Sequence, residues 1–423
     1  LALPTKTRRG QFLLSLRADA QKIINAAITA ALPDTAVKKA IIGEEFGKGR
    51  LVLVAIGKAA WAMSKAASEL LGDRISDGVV ITKYGHSLGE LPKIRVFEAG
   101  HPMPDANAFF ATEEAVKLVQ SLAAEDTVLF LISGGGSALF EKPLVSDEVL
   151  KALTEQLLVC GASITEINTI RKRLSAVKGG KFAKLCEPAQ VFSVVLSDVI
   201  GDPLDMIASG PAYPDSSTSE EALAIIRKYR LAVPREVEQL LDTDPPAELG
   251  NVKTKITGSV RQLCIAAEKA CQEMGYKPMI LTASLTCEAR EAGRFLAAVA
   301  QYHDHSDQSL AFIAGGETVV HVKGKGKGGR NQEIALAAAE GISGLNQAAV
   351  FSFGSDGTDG PTDAAGGYVD NNTKQKLAEK GISIFEALEN NDSYHALQAV
   401  DGLIMTGPTG TNVNDLSVLL IKR

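Results

Sequence analysis

The chain is poor in cysteine and has no two cysteines at a C-x-x-C spacing. Its five, Cys160, Cys186, Cys264, Cys271 and Cys287, are odd in number and scattered. That excludes a disulfide framework and reads as reduced, mostly buried thiols of a cytoplasmic protein. The six histidines show no metal-ligand spacing. His303 and His305 read as surface residues, whereas a turn would fix His101 in AGHPMPD. Positive charge is not in excess: 44 basic against 50 acidic residues leave a net charge of −6, which argues against nucleic acid as a partner. No apolar run has the length of a membrane span. The apolar stretch FLLSLRADAQKIINAAITAAL is interrupted by Arg17, Asp19 and Lys22, so it reads as an amphipathic helix rather than a signal peptide. There is no fixed-period repeat and no low-complexity tract.

What is present is a recurring unit. A short apolar run ends in a glycine-rich or acidic loop, and a helical pattern follows. The instances are residues 51–60, 127–140, 191–202, 310–322, 348–360 and 402–415. Continuous apolar strands of this kind suit sheets covered on both faces by helices, with ligand sites beyond the carboxyl ends of the strands. Helical faces are expected over 61–71, 111–123 and 289–302. A length of 423 residues exceeds one typical core. The proline-containing polar stretch 242–255 marks the expected boundary, giving domains 1–245 and 246–423. The predicted fold class is α/β, with two three-layer α/β/α domains, largely parallel or mixed sheets, and a cleft between them.

Several strand-end loops could carry chemistry. Residues 312–333, FIAGGETVVHVKGKGKGGRNQE, place Lys323, Lys325, Lys327 and Arg330 among glycines before a helix over about 331–340. Backbone N–H groups, a helix start and cations together suit an anion. The spacing G-x-G-x-x-G at Gly324, Gly326 and Gly329 also admits a dinucleotide, and a solvated loop is the plain alternative. In SGGGSA, Gly134, Gly135 and Gly136 can aim N–H groups at a phosphate, with Ser133 and Ser137 as further donors. No G-K-[S/T] follows, so this is not a Walker A loop. Lys58, after the first strand, is placed to hold a phosphate or to be an ordinary surface lysine. Residues 167–186 carry six cations and no acid. On one helix Arg171 and Lys178 would share a face, the alternative being a solvated basic helix. Asp198, Asp202, Asp205, Asp356, Asp359 and Asp363 fall in two loops where they could hold Mg²⁺, accept a proton or form turns. Glu317 lies in GGETVV, and Asn412, Asn414 and Asp415 in TNVND.

Together AIGKAA, GHPMPD, LISGGGSALF, NTIRKRLSAVKGGKFA, LSDVIGDPLDMIASGP, AGGETVVHVKGKGKGGRNQE, GSDGTDGPTDAAGG and TGTNVND resemble the class II glycerate kinase family. They occur in order from about Leu51 to Asp415. The resemblance implies an N-terminal Rossmann-like kinase domain and a C-terminal MOFRL domain. It further implies ATP-dependent phosphorylation of D-glycerate at its 2-hydroxyl, with Mg²⁺. Carried over, Lys58 and Arg330 look like an anion-binding pair, with Asp198, Glu317, Asp356 and Asn412 as polar partners.

The expected division of labour is as follows. Lys58, Asp198 and Arg330 are catalytic. Ser133 to Ser137, with Lys58, hold nucleotide phosphates. Arg171, Lys178, Glu317, Arg330 and Asn412 bind substrate, and Asp198 and Asp356 bind metal. No nucleic acid or membrane partner is expected, and a homodimer is compatible with the sequence. The first rival reading is an NAD(P)-dependent hydroxypyruvate reductase using the G-x-G-x-x-G loop, with Asp356 near where a ribose-binding acid could fall. The second is a non-catalytic sensor of small anions.

Overall fold

A computed structural model of the chain describes residues 7–246 and 248–423, with side chains from residue 16 onward. The chain forms two compact units, Pro33–Thr257 and Leu1–Leu32 with Gly258–Arg423. Among the described residues no helix is long and apolar enough to cross a membrane.

The unit Pro33–Thr257 is built on six strands: β1 (Leu51–Ile56), β2 (Ile75–Lys83), β3 (Ile94–Ala99), β4 (Thr127–Ile132), β5 (Gln190–Leu196) and β6 (Val252–Gly258). They lie in the order β3-β2-β1-β4-β5-β6, and the first five pair parallel. This is the strand order of an open doubly wound sheet, whose direction of winding reverses between β1 and β4. Both faces of the central strands are covered, so LVLVAI and TVLFLI are apolar throughout and fully buried. Val52, Val54, Ile56, Val128, Phe130 and Ile132 pack with Ala108, Ala111, Ala115 and Val119 of the helix Ala106–Val119. The alternate residues, such as Leu53, Ala55 and Leu129, are equally buried and face the opposite layer. A satellite core of Leu150, Leu153, Leu157, Ile170, Leu174, Ile225 and Leu241 joins four helices between Asp147 and Leu241.

The other unit has a mixed sheet: β7 (Lys277–Leu285), β8 (Leu310–Gly316), β9 (Ala348–Gly354), β10 (Gly366–Asp370), β11 (Leu403–Ile404) and β12 (Asp415–Ile421). Their order is β11-β10-β9-β12-β8-β7. β12 runs antiparallel to both β8 and β9, and Asp415 stands opposite Gly316 on one side and Gly354 on the other. The first residue of β12 therefore lies beside the last residues of two other strands. The helices Ala289–Tyr302 and Arg330–Gly341 pack on one face through Leu296, Ala297, Ile334 and Ala338, against Phe312, Val350 and Leu419. Gly293 lets them approach, since a Cβ there would collide with the Ile334 carbonyl.

The division differs from the expected boundary at residues 245 and 246. The helix Thr7–Ala31 belongs to the C-terminal unit, where Leu16, Ala20, Ile23, Ile24 and Ala27 are buried. Tyr276 Oη donates to Asp19 Oδ2 at 2.8 Å, and Arg17 Nη2 donates to the Leu403 carbonyl at 2.8 Å. The polar stretch after Leu241 is a loop within the first unit. It returns as β6 to that unit's sheet, held by Asn251, whose Nδ2 donates to the carbonyls of Ala183 and Ala189 at 2.9 and 3.1 Å.

Candidate active site

In the first unit the loops after β1 and β4 meet at the reversal point of the sheet. Ser133 ties them together. Its N–H donates to the Ile56 carbonyl at 3.0 Å, and its Oγ accepts from Ala59 N–H at 3.1 Å. Ser133 is buried, and its hydroxyl lies on these strand ends at 3.2 Å from the Ile56 carbonyl. Its place in the structure is thus a brace of the loop rather than an exposed phosphate donor. Lys58 N–H donates to the Gly134 carbonyl at 2.9 Å, leaving the Lys58 side chain exposed beside the glycine run. The glycines are needed because other groups crowd them. A Cβ on Gly134 would collide with the Asp198 carboxylate. One on Gly135, where φ is +84°, would lie 3.0 Å from His101 Cδ2 and 3.3 Å from Lys58 Cε. The structure thus gathers Lys58, Asp198, His101 and the Gly134–Gly136 backbone. Burial, then the nearby charges of Lys58, Lys83 and His86, hold the His101 imidazole below its ordinary pKa, so it is neutral at neutral pH.

Ser137 Oγ lies 2.9 Å from Ser209 Oγ, which reaches Asn168 Oδ1 at 3.3 Å. Arg171 Nη2 donates to the Ser137 carbonyl at 3.4 Å, and the half-buried Arg171 also lines a cavity of about 280 Å³ with Pro102, Met103, Phe109 and Lys151. Ala208 and Ser209 have φ of +52° and +59°, a left-handed conformation that costs non-glycine residues about 1–3 kcal/mol each. It is held in place by Gly179 and Gly180, whose N–H groups donate to the carbonyls of Ser209 and Gly210 at 3.0 and 2.7 Å.

The basic stretch departs from both readings of the sequence. Its helix ends at Arg173, so Arg171 and Lys178 do not share a helical face. Three of its six cations, Lys172, Arg173 and Lys178, are buried and paired, whereas Arg171 and Lys181 are half-buried and Lys184 is exposed. Lys172 lies 3.2 and 3.1 Å from Asp205 and Asp215, and Arg173 3.5 Å from Asp215. Lys178 is corrected from substrate ligand to buried brace. Its side chain is 0% exposed, 2.7 Å from Glu141 Oε2, and donates to the Phe140 carbonyl at 2.8 Å. Burial lowers its pKa to about 8. A fully enclosed ammonium cannot touch a substrate; it anchors the end of the SGGGSALF segment instead.

In the second unit Arg330 opens the helix Arg330–Gly341. Its Nε and Nη2 donate to the two oxygens of Asp415 at 2.5 and 3.1 Å, and its Nη1 donates to Glu317 Oε1 at 3.2 Å. The antiparallel entry of β12 produces this cluster by placing Asp415 beside the ends of β8 and β9. Burial alone would lower the pKa of the Arg330 guanidinium, but Asp415 and then Glu317 raise it. Burial raises that of Asp415, against the pull of Arg330. Asp356, after β9, accepts from Thr358 N–H through Oδ1 at 2.9 Å. The exposed Asn412 accepts from Asn414 N–H at 3.4 Å.

The glycine–lysine loop does not present a phosphate cradle. The N–H groups of Lys323 and Gly324 donate to Asn391 Oδ1 at 2.8 and 2.9 Å, and that of Lys325 to Asn390 Oδ1 at 3.1 Å. Gly326 N–H donates to the Asn390 carbonyl at 2.8 Å, and Lys327 N–H to Asp392 Oδ1 at 3.0 Å. Cβ atoms on Gly324 and Gly326 would strike residues 390–392, so these glycines serve chain packing. The helix start is also filled. Asp359 accepts from the N–H groups of Asn331 and Gln332 at 3.2 and 2.9 Å, and Gly329 lies against its carboxylate. A protein carboxylate occupies the place where a dinucleotide fingerprint would seat pyrophosphate.

Of the six loop aspartates, Asp205 pairs with Lys172, Asp359 caps a helix, Asp363 accepts from Tyr394 Oη at 2.8 Å, and Asp202 sits in a turn with φ of +52°. Asp198 and Asp356 remain as half-buried acids at strand ends, one in each unit. Among the described residues no group of three or more His, Cys, Asp or Glu side chains is gathered to hold a metal. The sequence pointed to Arg330 but not to the role of Asp415 as its partner. The signal was an acid at the start of the last apolar run. Cys186, Cys264 and Cys271 are buried, which raises their thiol pKa values, to about 12 for Cys264 and Cys271, as inert core thiols require.

Two α/β/α units, each carrying cations and carboxylates on its strand-end loops, define an α/β enzyme that handles small anions. Residues 19–242 match the Domain of unknown function (DUF4147), and residues 310–415 match the MOFRL family. The chain belongs to the class II glycerate kinase family. It is 51% identical over 413 residues to a D-glycerate 2-kinase of Thermotoga maritima, covering 96% of this chain and 99% of the relative. It is 42% identical over 439 residues to a glycerate 2-kinase of Pyrococcus horikoshii, covering 96% and 98%. The crystal structure of a glycerate kinase from Thermotoga maritima superposes with a TM-score of 0.91 at 51% identity, over 96% of this chain and 99% of that one. A relative from Agrobacterium vitis at 37% identity, covering 88% and 100%, bears the name putative hydroxypyruvate reductase.

Proposed function

We propose that this chain is a glycerate 2-kinase, transferring the γ-phosphoryl group of ATP to the 2-hydroxyl of D-glycerate to give 2-phosphoglycerate and ADP. The observation that carries the reading is its likeness, over nearly the full length of both chains, to kinases named for that reaction. The strand-end loops supply groups suited to it. In this reading the Gly134–Gly136 backbone, Ser137 and the Lys58 ammonium bind nucleotide phosphates, with Ser133 bracing the loop. Arg171 and Arg330 hold carboxylate or phosphoryl oxygens, a task for planar forks of donors. Glu317 and Asn412 orient the substrate side of Arg330.

The bond formed joins the C2 oxygen to Pγ, the bond broken joins Pγ to the β–γ bridging oxygen, and Asp198 takes the hydroxyl proton. Most of the acceleration comes from positioning and charge neutralisation rather than covalent chemistry. Either Asp356 or Asp198 would supply an oxygen donor for Mg²⁺, whose charge would offset that of the phosphates. Of the two acids, Asp356 fits the metal better, because Thr358 N–H fixes its carboxylate. The inert thiols suit a reducing cytoplasm.

The reductase reading fails physically. The helix start that would bind pyrophosphate holds Asp359, and the loop N–H groups are spent on residues 390–392. An assay separates the readings. The kinase forms ADP only when D-glycerate is present, and phosphorus NMR shows the phosphate on C2. NADH oxidation with hydroxypyruvate, without ADP formation from glycerate, would overturn the proposal.

A further inference from the structure

The buried acid Asp359 has no part in the scheme above, yet it is tied to the residues around Arg330 more closely than any capping role requires. It is 3% exposed. Its carboxylate receives the N–H groups of Asn331 and Gln332, the first peptide N–H groups after Arg330, and also Asn331 Nδ2 at 3.3 Å. Asn331 Oδ1 accepts from Ser352 Oγ at 2.5 Å. Ser352 Oγ lies 2.8 Å from Ser417 Oγ on β12. The Asn331 side chain thus links Asp359, under the helix start, through Ser352 and Ser417 to β12, whose first residue Asp415 holds the guanidinium.

The surrounding chain leaves Asp359 one position. Gly329 lies against the carboxylate on one side. A Cβ on Gly360, where φ is +60°, would crowd the Gly328 carbonyl at 2.5 Å. The Asp359 carbonyl accepts from Thr362 Oγ1 at 2.8 Å and from Gln332 Nε2 at 3.4 Å. An ordinary N-cap serves from a side chain just before its own helix. Here the cap comes from a loop about thirty residues downstream, between β9 and β10. That loop also carries Asp356. Holding a carboxylate in so enclosed a place is costly, and burial pushes its pKa up to about 7.

We propose that Asp359 is a positioning residue for phosphoryl transfer. It fixes the Arg330 guanidinium by holding the first turn of the Arg330 helix and, through Asn331, Ser352 and Ser417, the strand that carries Asp415. The proposal rests on the kinase reading above, in which Arg330 contacts substrate or the transferring group.

A double-mutant cycle tests it in the full-length protein, with ATP and D-glycerate as substrates. Asp359→Asn keeps the shape and removes the charge, so one of the two helix N–H groups loses its acceptor. Arg330 then shifts, and displacement of a reacting group by about 1 Å costs about a hundredfold in rate. If Asp359 acts through Arg330, Asp359→Asn combined with Arg330→Ala is no slower than Arg330→Ala alone, within about twofold. The loss in Asp359→Asn also divides between kcat and KM as it does in Arg330→Ala. Losses that multiply, or an Asp359→Asn enzyme within about twofold of the unaltered one, overturn the inference. A thermal melt shows whether each variant is folded. Should Asp359→Asn not fold, Asp359→Ser keeps an accepting oxygen at the helix start and enters the same cycle with the same outcomes. Failure of the unaltered enzyme to phosphorylate glycerate refutes the kinase reading itself. An active enzyme with an additive cycle refutes the role of Asp359 alone.

Discussion

Arg330 and Asp415 form a two-point ion pair, with Nε and Nη2 on separate carboxylate oxygens at 2.5 and 3.1 Å. The pair exists because β12 enters antiparallel between β8 and β9, so that its first residue lies level with their last. Arg330 is 35% exposed and Asp415 only 6%. The acid therefore acts as a fixed base plate, while the guanidinium keeps an open edge toward solvent. Planar two-point bonding sets orientation as well as distance.

Replacing Asp415 by Asn preserves volume and removes the charge. Arg330 keeps Glu317, which holds only Nη1. Loss of the pair costs about 1.5–3 kcal/mol of charge-assisted hydrogen bonding, and the guanidinium swings free. We expect kcat/KM for glycerate to fall by about tenfold to a hundredfold, with the protein still folded by circular dichroism. Activity within twofold of the unaltered enzyme would show that Asp415 does not aim Arg330.

Lys58 is exposed, and the bond to Gly134 uses its backbone N–H, so the loop can keep its shape without the side chain. Lys58→Ala should leave thermal stability unchanged and lower turnover by about a hundredfold or more, the loss expected for one transition-state donor. Steady-state ADP release and a melting curve check both halves. Near-normal turnover would remove Lys58 from the site.

β1, β4, β5, β8 and β9 and the loops after them were legible because each is a buried apolar run followed within two residues by glycine or aspartate, whereas β2, β3, β6 and β7 mix polar residues into the run and gave no such signal. SGGGSA and GSDGTDG announce themselves in that way. What could not be read was the partner of each charge. Residues 167–186 contain six cations and no acid, so they look solvated or substrate-facing. Their partners, Glu141, Asp205 and Asp215, lie elsewhere in the chain, and pairing buried Lys172, Arg173 and Lys178 required the fold. The glycine–lysine loop misled for a related reason. Its glycines signal close approach of something, and that something is residues 390–392 rather than a phosphate. The helix Thr7–Ala31 packs with the C-terminal unit although it comes first in the chain, because chain order is a poor guide to which layer an amphipathic face will cover.

The Lys178–Glu141 pair is fully enclosed, and Glu141 Oε1 has no hydrogen-bond partner among the described residues. Removing one member strands a buried charge, which costs about 3–5 kcal/mol, whereas replacing both by apolar groups of similar volume is often neutral. Lys178→Met should therefore lower the urea midpoint strongly, and Lys178→Met with Glu141→Leu should recover most of the loss. A double variant as unstable as the single one would place the cost in packing rather than charge.

Asp359 should also leave a signature in the pH dependence of stability. Its folded pKa is about 7, against 3.8 for an ordinary aspartate. Between these values the native state holds a proton that the unfolded chain releases, so this group's contribution to stability falls as pH rises from about 4 to 7 and levels off above that. Asp359→Asn cannot titrate. The stability of the unaltered protein minus that of the variant should accordingly decline across that window, measured by urea unfolding at fixed ionic strength. A difference that is flat, or that rises with pH, would mean the carboxylate is stabilised as the anion by its N–H donors more than its burial opposes it.

Lys323 and Lys325 are exposed, and their backbone N–H groups are committed to Asn391 and Asn390. Truncating both side chains leaves those bonds intact. If the loop were a phosphate cradle, Lys323→Ala with Lys325→Ala would raise the KM for ATP severalfold and lower kcat. If it is a packed strap that seats the Arg330 helix, the double variant keeps kcat and the KM for ATP within about twofold and melts at the same temperature, since exposed charges contribute little to stability. Gly326→Ala should do the reverse. Its Cβ would strike Asp392, pushing the strap off residues 390–392, so stability should fall although no charge has been touched. Severalfold loss of ATP affinity in the lysine variant, with an unaffected Gly326→Ala enzyme, would return the loop to the nucleotide.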